Sequence, residues 1–144
     1  MTKSFSLLIL CMLLTAASFA QDISSWDLLA DVRFPTSIRQ QRLGDYGEPI
    51  FGTKIQAKAG QEITIKGYML PITVDNEKFI LSQFPFQDCF FCGGAGKETV
   101  IELDFEKLED FPIDEPVYIK GRLELVPVPH ELCYRIVDAK WVKK

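Results

Sequence analysis

Two runs of the chain alternate apolar and polar residues, and each carries a glycine near its middle. In the first, Ile63, Ile65, Gly67 and Met69 fall on one face and Glu62, Thr64, Lys66 and Tyr68 on the other. In the second, Val117, Ile119, Gly121, Leu123 and Leu125 alternate with Tyr118, Lys120, Arg122 and Glu124. A period of two is the mark of a strand with one buried face. A glycine inside such a strand marks a tight bend or the close approach of another backbone. Two bent strands of this kind point to a small barrel.

Three further strands complete it. Pro71 closes the first run, Asp75-Asn76-Glu77 supplies a turn, and Lys78 to Leu81 returns as a hairpin partner. A third strand begins near Thr99, with Val100, Ile101, Leu103 and Phe105 as its apolar content and Glu102, Asp104 and Glu106 turned to water. The acidic stretch Glu106 to Glu115 leads to the Val117 to Val126 strand, and the last runs from Leu132 to Val142, with Cys133, Val137, Ala139 and Trp141 on one face. The expected fold is mainly β: a small OB-like five-stranded barrel with a short N-terminal helix. The alternative is a two-layer β-sandwich.

Upstream, the first twenty residues carry one cation, Lys3, an apolar run from Leu7 to Leu14, and small residues ending Ala17-Ser18-Phe19-Ala20. That is the pattern of a secretory signal peptide, cleaved after Ala20 and taking Cys11 with it. The apolar run is shorter than the roughly 20 residues that span a bilayer. Residues 21–59 then read as an N-terminal helix and wrapping loop, and 60–144 as the barrel. Ser24 with Asp27 three residues on has the form of a capping box, with Trp26, Leu29 and Ala30 facing inward. Phe34 to Phe51, with Pro35, Gly44, Gly47 and Pro49, reads as an irregular surface connection. The protein is expected to be exported, periplasmic or extracellular, with no transmembrane segment after cleavage.

The segments Gly60-Gln61-Glu62-Ile63-Thr64-Ile65-Lys66-Gly67-Tyr68-Met69-Leu70-Pro71, Phe79-Ile80-Leu81, Cys89-Phe90-Phe91-Cys92-Gly93-Gly94 and Val117-Tyr118-Ile119-Lys120-Gly121 resemble a family of exported bacterial proteins with a domain of unknown function. Trp26-Asp27-Leu28-Leu29 and Phe34 extend the likeness toward the N-terminus. The resemblance implies an OB-like domain with no established reaction, some of whose relatives travel with metal-ion transport systems. Many relatives place Cys-x-His and a proline run where this chain has Cys89-Phe90-Phe91 and a glycine run. Cys89 matches, Phe91 stands at the histidine position, and Cys92 is the available substitute.

The residues with chemistry to offer are three thiols and one imidazole. Cys89 and Cys92 form Cys-x2-Cys, and His130 and Cys133 form His-x2-Cys. Cys3His is an accepted zinc set. Gly93 and Gly94 permit the positive φ that lets backbone amides fold over a thiolate, and Pro127 and Pro129 keep His130 out of a regular strand. The candidate metal ligands are therefore Cys89, Cys92, His130 and Cys133, with zinc or another transition metal as the ion. A redox reading competes, in which Cys89 and Cys92 cycle between dithiol and disulfide. Gly93-Gly94-Ala95-Gly96 is a poor helix start for a thioredoxin-like site. After export an odd thiol is left over from any single pairing, which favours a metal or burial. Cys133 also reads simply as a small buried hydrophobe, and His130 as a surface loop residue.

The aromatic residues Phe84, Phe86, Phe90, Phe91 and Tyr68 read as packing beneath the loop rather than as an exposed platform of the sort that binds bases or sugars. Glu98, Glu102, Asp104, Glu106, Glu109 and Asp110 read as a solvated face. A net charge of −4 argues against a backbone-driven nucleic-acid binder. With 144 residues there is room for one domain. No nucleophile elbow, phosphate loop or His-Glu-x-x-His is present, so an enzyme is not expected. The sequence points to an exported binding protein for a transition metal, acting alone or with an envelope transport system. A thiol–disulfide protein using Cys89 and Cys92 and a non-catalytic adaptor for another envelope protein are the alternatives.

Overall fold

The computed structural model describes residues 23–74, 78–107, 110–112 and 115–143. The leader read over residues 1–20, the turn at Asp75-Asn76-Glu77 and parts of the acidic stretch after Glu106 lie outside them. The strands are β1 (Ile23–Ser24), β2 (Val32–Arg33), β3 (Ile50–Phe51), β4 (Glu62–Val74), β5 (Lys78–Ser82), β6 (Val100–Phe105), β7 (Pro116–Leu125) and β8 (Tyr134–Trp141). The short helices are α1 (Trp26–Leu29), α2 (Ile38–Arg42) and α3 (Thr53–Gln56). Among the described residues no helix is long and apolar enough to cross a membrane.

β4, β5, β6, β8 and β7 follow one another around a closed ring, because β7 pairs with both β8 and β4. All neighbours are antiparallel except β6 and β8, which run parallel. Order 1-2-3-5-4-1 in barrel strands is the OB arrangement, and the sandwich alternative is excluded by the closure. β4 and β7 pair without interruption from Glu62 opposite Arg122 to Tyr68 opposite Pro116. Ile63, Ile65, Met69, Leu81, Ile101, Leu103, Val117, Ile119, Leu123 and Ile136 fill the interior.

At the two mid-strand glycines the neighbouring strand of the ladder approaches too closely for a side chain. A Cβ at Gly67 would lie 2.6 Å from the Ser82 carbonyl oxygen and 3.1 Å from the Trp26 ring. One at Gly121 would lie 2.4 Å from Ile136 Cγ2 and 2.7 Å from the Val137 oxygen. Gly121 faces a bulge in β8, where Asp138 takes φ +54° and the register with β7 shifts. The bulge changes the strand's parity. Tyr134, Ile136 and Ala139 are therefore the buried residues, and Val137 leaves the face that simple alternation assigns it with Cys133 and Ala139.

Pro71 does not end β4. The strand continues to Val74, and its pairing with β5 shifts between Met69 and Thr73, an irregularity that accommodates a residue with no N–H. The helix cap also moves by one: Ser25, not Ser24, caps α1 by accepting from the Asp27 amide, while Ser24 joins β1 beside Ile65 of β4. Leu29 is buried, Trp26 is half-buried and donates from Nε1 to the Lys66 oxygen, and Ala30 is exposed. The connection from Phe34 to Phe51 contains an unanticipated helix, α2, opened by a capping box between Ser37 and Gln40.

Residues upstream of the barrel supply part of its core. Leu29 and Ile55 are fully buried in the main cluster, and the Tyr134 hydroxyl, deep in the barrel, donates to the Leu29 carbonyl. Asp31 receives the Lys54 and Ile55 amides at 2.8 and 3.1 Å, capping α3 from a distance. These bonds fix α1 and α3 as the plug of one barrel end. Tyr134→Phe is expected to leave a buried carbonyl unpaired and to lower stability by about 1–3 kcal/mol, and Gly121→Ala to do so by a similar amount through overpacking. Urea unfolding followed by tryptophan fluorescence checks both; an unchanged midpoint contradicts the assigned contacts.

Candidate thiol site and the adjoining cleft

Residues 83–99 connect β5 to β6 and fold back over the outside of the barrel. Under them Leu70, Ile80, Cys89 and Val100 form a second buried cluster, joined by Ile72, Phe90 and Leu132. Strands β5 and β6 are consequently covered on both faces. Ile80 and Val100 are buried on the outer side, and Leu81 and Ile101 on the inner.

Glu102 is covered with them, 7% exposed rather than turned to water. It is bonded to Arg135, its register partner on β8. Desolvation works against the Arg135 charge, but the bond to Glu102 and the fields of Glu102, Glu131 and Glu124 outweigh it and hold the guanidinium firmly protonated.

Within this loop Cys89 and Cys92 sit at the ends of a 3-10 turn, Phe90–Cys92. The Cys92 amide donates to the Cys89 carbonyl at 3.1 Å, and the two sulfurs are 4.0 Å apart. Cys89 is fully buried; Cys92 is exposed, and its thiol donates to the Phe86 carbonyl at 3.1 Å. Gly93 turns the chain with φ +77°, and a Cβ on Gly94 would lie 2.7 Å from the Asp88 oxygen. The glycines thus serve the turn, but not as expected: the amides of Gly93 and Gly94 donate to the carbonyls of Phe90 and Cys89 instead of folding over a sulfur. The Cys92 thiol is pushed above its usual range, first by desolvation in the turn, then by Cys89 and the Asp88 carboxylate.

Cys133 lies elsewhere. It belongs to the main core, fully buried, with its sulfur 3.9 Å from the Lys97 carbonyl. Burial pushes its thiol up to about 12, more than the Lys97 charge pulls it down. His130 stands exposed on the β7–β8 connection, at the mouth of a cleft. Of the four expected ligands the fold pairs Cys89 with Cys92. Among the described residues no three His, Cys, Asp or Glu side chains are gathered as an ion-holding group.

The cleft was not legible in the sequence. It has a volume of about 340 Å³ between the loop, the β7–β8 connection and the Phe34 to Phe51 connection, a strap on this side of the molecule, and it is walled by Tyr46, Phe90, Phe91 and Leu132, with Glu102 and Glu131 also in its lining. A more open hollow of about 620 Å³ continues from it past Gly44 toward α2. Rings run in a line from strap to loop: Phe34 on Tyr46 at 5.2 Å, Tyr46 on Phe90 at 5.6 Å, Phe90 on Phe91 at 5.2 Å, all edge-on. The expected burial of the loop aromatics is only partly met. Phe84, Phe86 and Phe91 are 37%, 37% and 45% exposed, Phe86 and Phe91 on the two 3-10 turns and Phe84 just ahead of the first, while Phe90 packs inward.

At the base of the cleft is Lys97, 4% exposed. Its ammonium donates to the Pro129 carbonyl at 2.8 Å and lies 5.3 Å from the Tyr46 ring centre and 6.0 Å from that of Phe34. Burial lowers its pKa, against the raising fields of Cys133 and Glu131. One hydrogen bond of about 1–3 kcal/mol and π-contacts of about 1–2 kcal/mol oppose a desolvation cost of several kcal/mol. No local pattern around Gly96-Lys97-Glu98 signals this role; only the packing of three distant segments creates it.

No protein-family profile matches the chain, and no curated protein does. Among solved structures, the crystal structure of a DUF3299 family protein from Pseudomonas aeruginosa PAO1 matches with a TM-score of 0.54 at 12% identity, over 87% of this chain and 98% of that one. The likeness is one of fold. It agrees with the barrel and carries no reaction or ligand with it.

Because the Cys133 thiol is raised in the folded state above the roughly 8.5 of an unfolded chain, the stability gained by keeping it neutral is complete below pH 8.5 and falls as the pH climbs toward 12. By pH 10 the loss attributable to this group is expected to be about 2 kcal/mol. Urea midpoints measured from pH 8 to pH 10 should therefore fall more steeply for the native protein than for Cys133→Ala. Parallel slopes would show that the thiol is not held neutral by burial.

Proposed function

We propose that this chain is an exported, non-catalytic OB-like binding protein whose reactive element is the Cys89–Cys92 pair, a dithiol that closes reversibly to a disulfide. The observation that carries this reading is the 4.0 Å separation of the two sulfurs across one hydrogen-bonded turn. Such a turn holds its end Cα atoms within about 7 Å, a span a disulfide bridges with little movement. The sequestered Cys133 supports it as well, since the odd thiol left by this pairing is buried and poorly nucleophilic.

Closure requires an external disulfide as oxidant. The exposed Cys92 thiolate attacks one of its sulfurs and releases the other as a thiolate; Cys89 then gives up its proton and displaces the remaining sulfur from Cys92. Two electrons pass to the oxidant, which leaves as two thiols carrying the two protons. Strongly oxidising dithiol enzymes depend on a lowered thiol pKa. The raised Cys92 pKa suits a pair acted on by such proteins rather than one driving turnover.

A transition-metal reading rests on the same distance. Two thiolates 2.3 Å from a tetrahedral zinc lie about 3.8 Å apart, close to the separation here, with the remaining ligands coming from outside the pair. The exposed Phe84, Phe86 and Phe91 are what an adaptor for an envelope protein would present.

Alkylation before and after denaturation, with metal analysis of the same anaerobic, tag-free preparation, separates the first two readings. We expect a Cys89–Cys92 disulfide in protein isolated without reductant, one thiol exposed only on unfolding, and no stoichiometric metal. Three thiols with one equivalent of metal would replace the disulfide reading by the metal one. Three thiols without metal would remove both and leave the adaptor.

A further inference from the structure

The cleft beside the thiol turn has a feature that the disulfide reading leaves unused. Lys97 at its base is almost fully buried, and its ammonium has three hydrogens to donate, of which the Pro129 carbonyl takes one. The carboxylates nearest the mouth are engaged elsewhere: Glu102 and Glu131 both bond to Arg135, at its Nε and Nη2 respectively. Among the described residues no carboxylate is in ion-pair contact with Lys97. Glu102 and Glu131 line the same cleft and the field of Glu131 reaches the ammonium, but in direct contact the buried cation has a carbonyl and two ring faces and no anion.

The walls say what else the anion should carry. Tyr46, Phe90 and Phe91 line the cleft with Leu132 and Pro129, and Phe91 stands 45% exposed at its edge, where a second flat group would cover it. The volume of about 340 Å³ falls at the lower end of small-molecule sites. His130 at the mouth offers one more polar contact. An apolar body with one or two placed polar groups is the usual composition of such a site, and here the polar group at the base is cationic.

We propose that this cleft binds a small ring-bearing carboxylate, its anionic end on the Lys97 ammonium and its ring among Tyr46, Phe90 and Phe91. The site is distinct from the sulfur pair, and the inference stands whether or not Cys89 and Cys92 form a disulfide.

The test titrates the full protein, with its thiols kept reduced, by calorimetry against 3-phenylpropionate, against the corresponding neutral amide, and against propionate. The carboxylate is expected to bind saturably, with the amide and the ringless acid each weaker by about tenfold or more. Phe91→Ala, at an exposed position whose loss leaves the core intact, should weaken 3-phenylpropionate by several-fold, and Lys97→Met should abolish the preference for acid over amide. Should Lys97→Met fail to fold, the acid-to-amide ratio on the native protein and the Phe91→Ala titration decide alone. Equal binding of acid and amide, indifference to Phe91→Ala, or no saturation by about 10 mM overturns the proposal.

Discussion

The seven-residue register that pairs β4 with β7 closes the barrel, and closure governs what the rest of the chain can do. Closure leaves little strand edge to extend: β1 adds two residues beside Thr64 and Ile65 of β4, and other chain must either stopper an end or lie on the outside. Both occur. Leu29 and Ile55 enter one end on α1 and α3, and the β5–β6 connection lies flat on the outer wall, where it builds a second small core around Ile80 and Val100. Neighbouring strands of the ring also approach closely, and Gly67 and Gly121 face carbonyl oxygens with no room for a side chain.

The chemistry of the three thiols follows from that second core. Cys89 is drawn into it and Cys92, one turn later, is left at its rim, so a single motif provides one protected and one accessible sulfur. Cys133 belongs to the interior proper, where desolvation keeps its proton in place far into the alkaline range. Equivalent residues in the sequence thus become chemically unequal through the apolar surroundings each receives.

Lys97 ties the pieces together from the other side. Its ammonium spans the β5–β6 loop, the β7–β8 connection and the strap carrying Tyr46, and the Arg135 pairs with Glu102 and Glu131 stand beside it. Cleft and thiol turn share Phe90 and Phe91, so the two regions are neighbours in space.

Alternation determined the barrel. The faces of β4 and β7 were readable because a strand with one side in the core repeats every two residues, and the mid-strand glycines marked where neighbouring strands approach closely. Sequence also singled out Cys89 and Cys92, since two residues of one turn stay close in any fold. What it could not supply was anything that depends on distant segments meeting. The burial of Glu102 against Arg135, the parity change at Asp138, the separation of Cys133 from the other thiols and the cationic cleft at Lys97 all arise from contacts between residues far apart in the chain. Local pattern records which side of a strand is apolar; only tertiary packing decides what covers the other side, and here that covering makes the site.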